Sequence, residues 1–168
     1  KICPLGSYVI DGFSTLKHLE TLVISIAERS LNTGYIFQGL SKLPLLKVFC
    51  LKMDFIKTHE WVLLQQFLKG QKNLEELQIG LHTHRTTSKS RYLQQNASIQ
   101  AIIQDLEDKS SLKSLHLKSD YWPIETISKG LASLSSMVNR LHTFKLEASD
   151  DTVFSQEKLR KRVEGLCN

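Results

Sequence analysis

The sequence predicts an α/β solenoid: five copies of a short strand, a turn and a helix, stacked side by side. Three observations carry that prediction. The first is an apolar triplet with spacing three then two, as in Leu74, Leu77 and Ile79 of "LEELQIGL". It fits neither a helix face, which steps by three and four, nor a plain strand, which steps by two. The second is its return: Leu19, Leu22, Ile24; Leu46, Phe49, Leu51; Leu112, Leu115, Leu117; Leu141, Phe144, Leu146, with first residues 27, 28, 38 and 29 positions apart from one unit to the next. The third is a second apolar column in step with the first. Phe13, Leu40, Leu68 and Leu106 each precede a triplet by six residues, and Leu134 precedes one by seven. Internal repetition of this length is the signature of a stacked-repeat architecture.

Each strand is read from the last three residues of a unit. Within "LxL" the two apolar side chains point to one face, because alternate residues of a strand share a face. The leucine three positions earlier fills the same core from the incoming turn. The outward residues then line up in rows: Val23, Cys50, Gln78, His116 and Lys145 at the strand centres. They are flanked by Thr21, Val48, Glu76, Ser114, Thr143 on one side and Ser25, Lys52, Gly80, Lys118, Glu147 on the other. One step earlier, Glu20, Lys47, Glu75, Lys113 and His142 alternate in sign, which reads as exposed pairs stabilising the sheet or as a charged stripe for a partner.

Helical patterns separate the strands. "HEWVLLQQFLKG" places Val62, Leu63, Gln66 and Phe67 at helical steps and ends on Gly70, a candidate C′ glycine. "NASIQAIIQDLEDK" puts Ile99, Ile102, Ile103 and Leu106 on one stripe, with Asn96 or Ser98 available as N-cap. "YWPIETISKGLASL" has Pro123 near a helix start and Ile124, Ile127 and Leu131 on one face. Strands stack about 4.8 Å apart, whereas a helix is roughly 10 Å wide, so such a stack curves with its strands inside.

This pattern resembles the leucine-rich repeats over nearly the whole chain, roughly Phe13 to Ser149. The 27 to 29 residue period with a full helix is similar to the cytosolic, ribonuclease-inhibitor-like subclass. The resemblance implies a right-handed horseshoe segment with parallel strands on its concave face. It also implies a protein partner held on that face, as in F-box-type substrate receptors and kinase-linked or sensor repeats. The sequence departs from the family where asparagine or cysteine follows the last strand leucine. Those positions hold Ala27, Asp54, His82, Asp120 and Ser149.

Length and composition agree with one domain over 1–168: 168 residues, 41% hydrophobic, 23% charged, net charge +5. Residues 1–18 form an incomplete first repeat, 19–149 the five strand-bearing repeats, and 150–168 a C-terminal capping helix. In that cap Val153, Phe154, Leu159, Val163 and Leu166 seal the last core while Lys158, Arg160, Lys161 and Arg162 stay wet. Upstream repeats, a preceding domain or a partner chain are expected against the Thr21 to Ser25 edge, since native sheets cover exposed edges. Three scattered cysteines, Cys3, Cys50 and Cys167, argue against a disulfide framework and for a reducing, cytoplasmic setting. No apolar run is long enough to span a membrane.

The 38-residue interval holds the insertion "HTHRTTSKSRYLQQN" at 82–96, with His82, His84, Arg85, Lys89 and Arg91 and no acidic residue. It reads as an interaction loop, with a nucleic-acid or phosphate contact, a regulatory serine–threonine segment and a plain solvated loop as the alternatives. Catalysis finds no support. His82 and His84 alone do not close a metal site, His116 and Cys50 lie two strands apart, and no phosphate-binding glycine motif or nucleophile elbow occurs. The "NAS" sequon at Asn96 sits at a helix start in a chain read as cytosolic. No cofactor is expected. The expected function is a non-enzymatic protein-interaction module using Val23, Val48, Cys50, Lys52, Gln78, His116, Lys118 and Lys145 of the sheet with Arg85, Lys89 and Arg91 of the loop. The alternatives are a structural subunit of a multiprotein or ribonucleoprotein assembly, and the recognition part of an F-box-type receptor.

Overall fold

Five strands pair in the order in which they occur along the chain, as a repeat requires. In the computed structural model, which describes residues 11–26, 33–53, 56, 58–81, 100–119, 137, 139–148 and 153–154, they are β1 (Thr21–Ile26), β2 (Val48–Met53), β3 (Glu76–Leu81), β4 (Ser114–Ser119) and β5 (Thr143–Ala148). All four pairings among them are parallel, and a sixth strand, β6 (Val153–Phe154), joins β5 antiparallel. Helical segments accompany the strands: α1 at 11–15, α2 (Gly34–Leu40), α3 (Thr58–Gly70) and α4 at 100–107. These elements form an α/β repeat solenoid with a leucine-rich-repeat-like fold.

The register is the expected one. Val23, Cys50, Gln78, His116 and Lys145 are successive partners, as are Ser25, Lys52, Gly80, Lys118 and Glu147. The alternate positions Phe49, Leu51, Leu77, Ile79, Leu115, Leu117, Phe144 and Leu146 are buried in one core with the helices. A one-residue slip would exchange these two sets, so core burial holds the whole sheet in register.

The strand entry explains the odd first step of three. The N–H groups of Lys47 and Val48 both donate to the Glu20 carbonyl, at 2.8 and 2.9 Å. Glu75 and Glu76 do the same to Lys47, Lys113 and Ser114 to Glu75, and His142 and Thr143 to Lys113. Two consecutive residues thus share one carbonyl at every entry into β2–β5, with the register between strands kept one to one. Both of them point outward, and the leucine before them turns inward: Leu46, Leu74, Leu112 and Leu141 are all buried. The odd first step of three therefore belongs to the incoming turn, before the strand is fully extended.

The helices close the other side of the core. Phe37 and Leu40 of α2, Trp61, Leu64, Phe67 and Leu68 of α3, and Ile102, Ile103 and Leu106 of α4 are buried. Phe49 and Phe67 meet edge to face with centroids 5.0 Å apart, joining β2 to α3. Of the six-residue column, Leu40, Leu68 and Leu106 are buried and Phe13 packs against the core.

Three expectations are corrected here. The buried stripe of α3 is Trp61, Leu64, Phe67 and Leu68, not Val62, Leu63, Gln66 and Phe67. Val62 is 51% exposed and Gln66 is also exposed. Trp61 and Leu68 are seven apart and share a face with Leu64, which buries more apolar area than the face holding Gln66. Gly70 is the last helical residue and has no left-handed φ. The end of α3 is capped instead from the next repeat, where Lys109 Nζ donates to the carbonyls of Lys69 (3.2 Å) and Gln71 (2.8 Å). The segment 150–168 is not helical at Val153 and Phe154, which pair with Glu147 and Leu146. An antiparallel turn-back satisfies the outer backbone groups of β5 at those positions, which a helix would not. The remainder of that segment lies outside the described residues, as do the helix expected at "YWPIETISKGLASL", Leu134, Asn96, Ser98 and Ile99, and Ala27, Asp54, His82, Asp120 and Ser149.

A polar ladder runs along the entries of β3, β4 and β5, built from the residue before each of those three triplets. Asn73 Nδ2 donates to the Pro44 carbonyl at 3.3 Å, and the single Ser111 hydroxyl hydrogen lies between the carbonyls of Lys72 (Oγ at 2.9 Å) and Leu74 (2.8 Å). Arg140 Nη2 donates to those of Glu107 and Lys109, both at 2.9 Å. At the other end of the helices, the buried Glu60 carboxylate of α3 accepts the Thr33 N–H before α2 at 3.1 Å, where anionic charge is favourable.

Candidate functional site

The face of β1–β5 away from the helices carries the candidate site, and its side chains are those that alternation sends outward. Val23, Lys52, Glu76 and Lys145 are exposed, Val48, Gln78, His116 and Lys118 are half-buried, and Cys50 is 8% exposed. Cys50 therefore sits in the expected row but offers little area to a partner, and burial pushes its thiol pKa up. Its neighbours in register, Val23 and Gln78, flank it. The apolar corner reduces to Val23, which is 62% exposed, and Val48.

The alternating row behaves as paired charges. Lys47 Nζ lies 2.8 Å from Glu20 Oε1, and Lys113 Nζ lies 2.5 Å from Glu75 Oε2. The hydrogen bond to Glu20 raises the Lys47 pKa, and that from Lys113 lowers the Glu75 pKa. These pairs sit in solvent, so they orient side chains more than they stabilise the fold.

Toward the C-terminal ends of the strands the charges are not paired one to one. On adjacent β4 and β5, His116 is opposite Lys145 and Lys118 is opposite Glu147, four side chains in a square. Glu147 sits at its focus: Oε1 is bonded by Lys145 Nζ and lies 3.5 Å from His116 Nε2, and Oε2 lies 3.3 Å from Lys118 Nζ. The hydrogen bond from Lys145, with smaller contributions from Lys118 and His116, outweighs burial and pulls the Glu147 carboxyl down to about 2. His116 moves below its ordinary value because burial outweighs the attraction of Glu147. Its Nε2 is buried and makes no hydrogen bond, since 3.5 Å exceeds an effective one. One strand back in the row of Lys118 is Gly80, and beyond it Lys52, whose Cγ lies 3.7 Å from where a Gly80 Cβ would be.

The structure thus brings Gln78, His116, Lys118 and Lys145 together on one face, with Val23, Val48 and Lys52 further along it. Arg85, Lys89 and Arg91 lie outside the described residues. Glu147, the centre of the basic cluster, was legible in the sequence only as one more member of an outward row. The usable signal was a glutamate two positions after Lys145 and directly across from Lys118. Among the described residues no group of three or more His, Cys, Asp or Glu side chains could hold a metal ion. No helix among them is long and apolar enough to cross a membrane.

No protein-family model and no curated protein matches the sequence. A solved structure described as leiomodin-1 actin-binding site 2 is similar in fold, with a TM-score of 0.64 over 98% of this chain and 88% of that one. The two sequences are 15% identical over that match, so the likeness is one of fold.

Proposed function

We propose that this chain is a non-enzymatic protein-interaction module whose partner lies across the open face of β1–β5. The observation that carries the reading is a five-strand parallel face in continuous register whose outward side chains, Val48 and Cys50 apart, are polar, charged or exposed and lie under no described helix. The leiomodin-1 fragment is named as an actin-binding site, so a chain of this fold serves there to bind a protein. In this reading the stack is a curved horseshoe segment of the ribonuclease-inhibitor-like kind, since strands pack at about half the spacing of helices. The basic insertion at 82–96 extends the contact, and the setting is intracellular and reducing. The test is site-specific photo-crosslinking from Gln78 on the open face and from Gln66 on the exposed side of α3. Adducts with a partner from Gln78 alone support the reading, and adducts from Gln66 alone overturn it.

A second reading, a subunit wedged in a larger assembly, draws on the β1 edge. Leu22 and Ile24 are half-buried there, whereas their counterparts Phe49, Leu51, Leu77 and Ile79 are buried. A neighbour against that edge would complete their burial and pair its backbone.

A further inference from the structure

Glu147 is surrounded as a bound ligand would be. Both oxygens of its carboxylate are engaged, Oε1 by Lys145 and Oε2 by Lys118, with the His116 imidazole alongside at 3.5 Å. The surrounding groups come from two strands held in register by the core, so the arrangement is built in rather than adopted by one flexible side chain. The cluster is over-supplied with donors: two ammonium groups carry three N–H each, against about four acceptor sites on one carboxylate. Lys118 and Lys145 keep 42% and 46% side-chain exposure, so donors not directed at Glu147 face solvent. Gly80 leaves the neighbouring row position without a side chain, and Lys52 beyond it extends the positive charge. Glu147 is the single acid among these groups.

We propose that the β4–β5 square is a carboxylate-binding subsite, filled in the free protein by Glu147 and taken over by an Asp or Glu side chain of an acidic partner segment. The inference rests on the open-face reading above and names its partner's chemistry. Glu147 acts as an internal competitor: it keeps two lysines and an imidazole organised and lowers the affinity for outside anions until a partner with several carboxylates displaces it. A carboxylate is favoured over a phosphate because a carboxylate is what the geometry already fits, one oxygen to each lysine.

The test is fluorescence anisotropy of a labelled hexaglutamate peptide against the full chain at low salt, with hexathymidylate as the comparison probe. Glu147→Gln keeps the side-chain shape and removes the competitor, so hexaglutamate should bind about tenfold tighter than to the parent, the value of one charge-assisted hydrogen bond. Lys118→Gln or Lys145→Gln added to that variant should abolish the gain, while Lys69→Gln on α3 should leave it intact. In the parent chain the same two lysine substitutions should weaken binding, which tests the subsite even where Glu147→Gln lowers the melting temperature. Equal affinities across all variants, with crosslinking from Gln78 retained, overturn the subsite and leave the open-face reading standing. A gain for hexathymidylate as large as that for hexaglutamate overturns the acidic-segment partner.

Discussion

Lys109 Nζ reaches back from one repeat to the carbonyl of Gln71 in the repeat before it, 2.8 Å away, and to that of Lys69 at 3.2 Å. Those carbonyls lie at the C-terminus of α3, where backbone oxygens lack helical partners and carry the negative end of the macrodipole. A cation there stabilises both the helix end and the junction between repeats. Burial holds the Lys109 pKa below its ordinary value, with Asp105 pulling the other way. Lys109→Met keeps most of the stem and removes the donor. It should cost about 1–3 kcal/mol, because a buried carbonyl is left unsatisfied. A urea midpoint unchanged from the parent would show that water replaces the ammonium at no cost.

Glu147 should titrate near 2, and its stabilising effect has a defined pH window. A carboxyl whose folded pKa is depressed contributes stability that is fully present above the ordinary carboxylate range and is lost as pH falls through about 2. Carbon NMR of the Glu147 side-chain carboxyl over an acid titration measures the midpoint directly, and an ordinary carboxylate midpoint would refute the cluster. Glu147→Gln should flatten this part of the acid limb of stability.

Leu77→Ala should cost on the order of 2–5 kcal/mol, since Leu77 is 2% exposed in the central strand and the change opens a cavity with repeats on both sides. A loss below about 0.5 kcal/mol in denaturant unfolding would contradict that burial.

Gly80→Ala should stabilise the protein by about 0.4–1 kcal/mol. An added Cβ would meet Lys52 Cγ at 3.7 Å and the Leu51 carbonyl oxygen at 3.8 Å, both ordinary contacts, and the backbone φ is not left-handed. The alanine loses less conformational freedom on folding. A lower melting temperature for this variant would mean that the lysine stem needs the space.

The repeat, the strand register and the inward or outward sense of each strand residue were legible in the sequence, because they follow from spacings within a few residues. Leu112, Leu115 and Leu117 state their own burial by position, and β4 then has only one face that can meet the core. The α3 face is not fixed by its own sequence, because "WVLLQQF" is apolar around most of a turn, and only packing against β2 and α2 decides which residues go inside.

Contacts between repeats were decided by the tertiary structure alone. Lys109 finds Gln71 across 38 positions, and Glu147 meets His116 and Lys118 across 31 and 29. The paired N–H groups at each strand entry, the burial of Cys50 and the antiparallel return of β6 are also cross-strand events. Local apolar periodicity determines what each unit is, since burying one face is worth more than any alternative pairing of its own residues. Polar side chains carry no such period. Their partners, and with them the chemistry of the open face, exist only once neighbouring units are stacked at strand spacing.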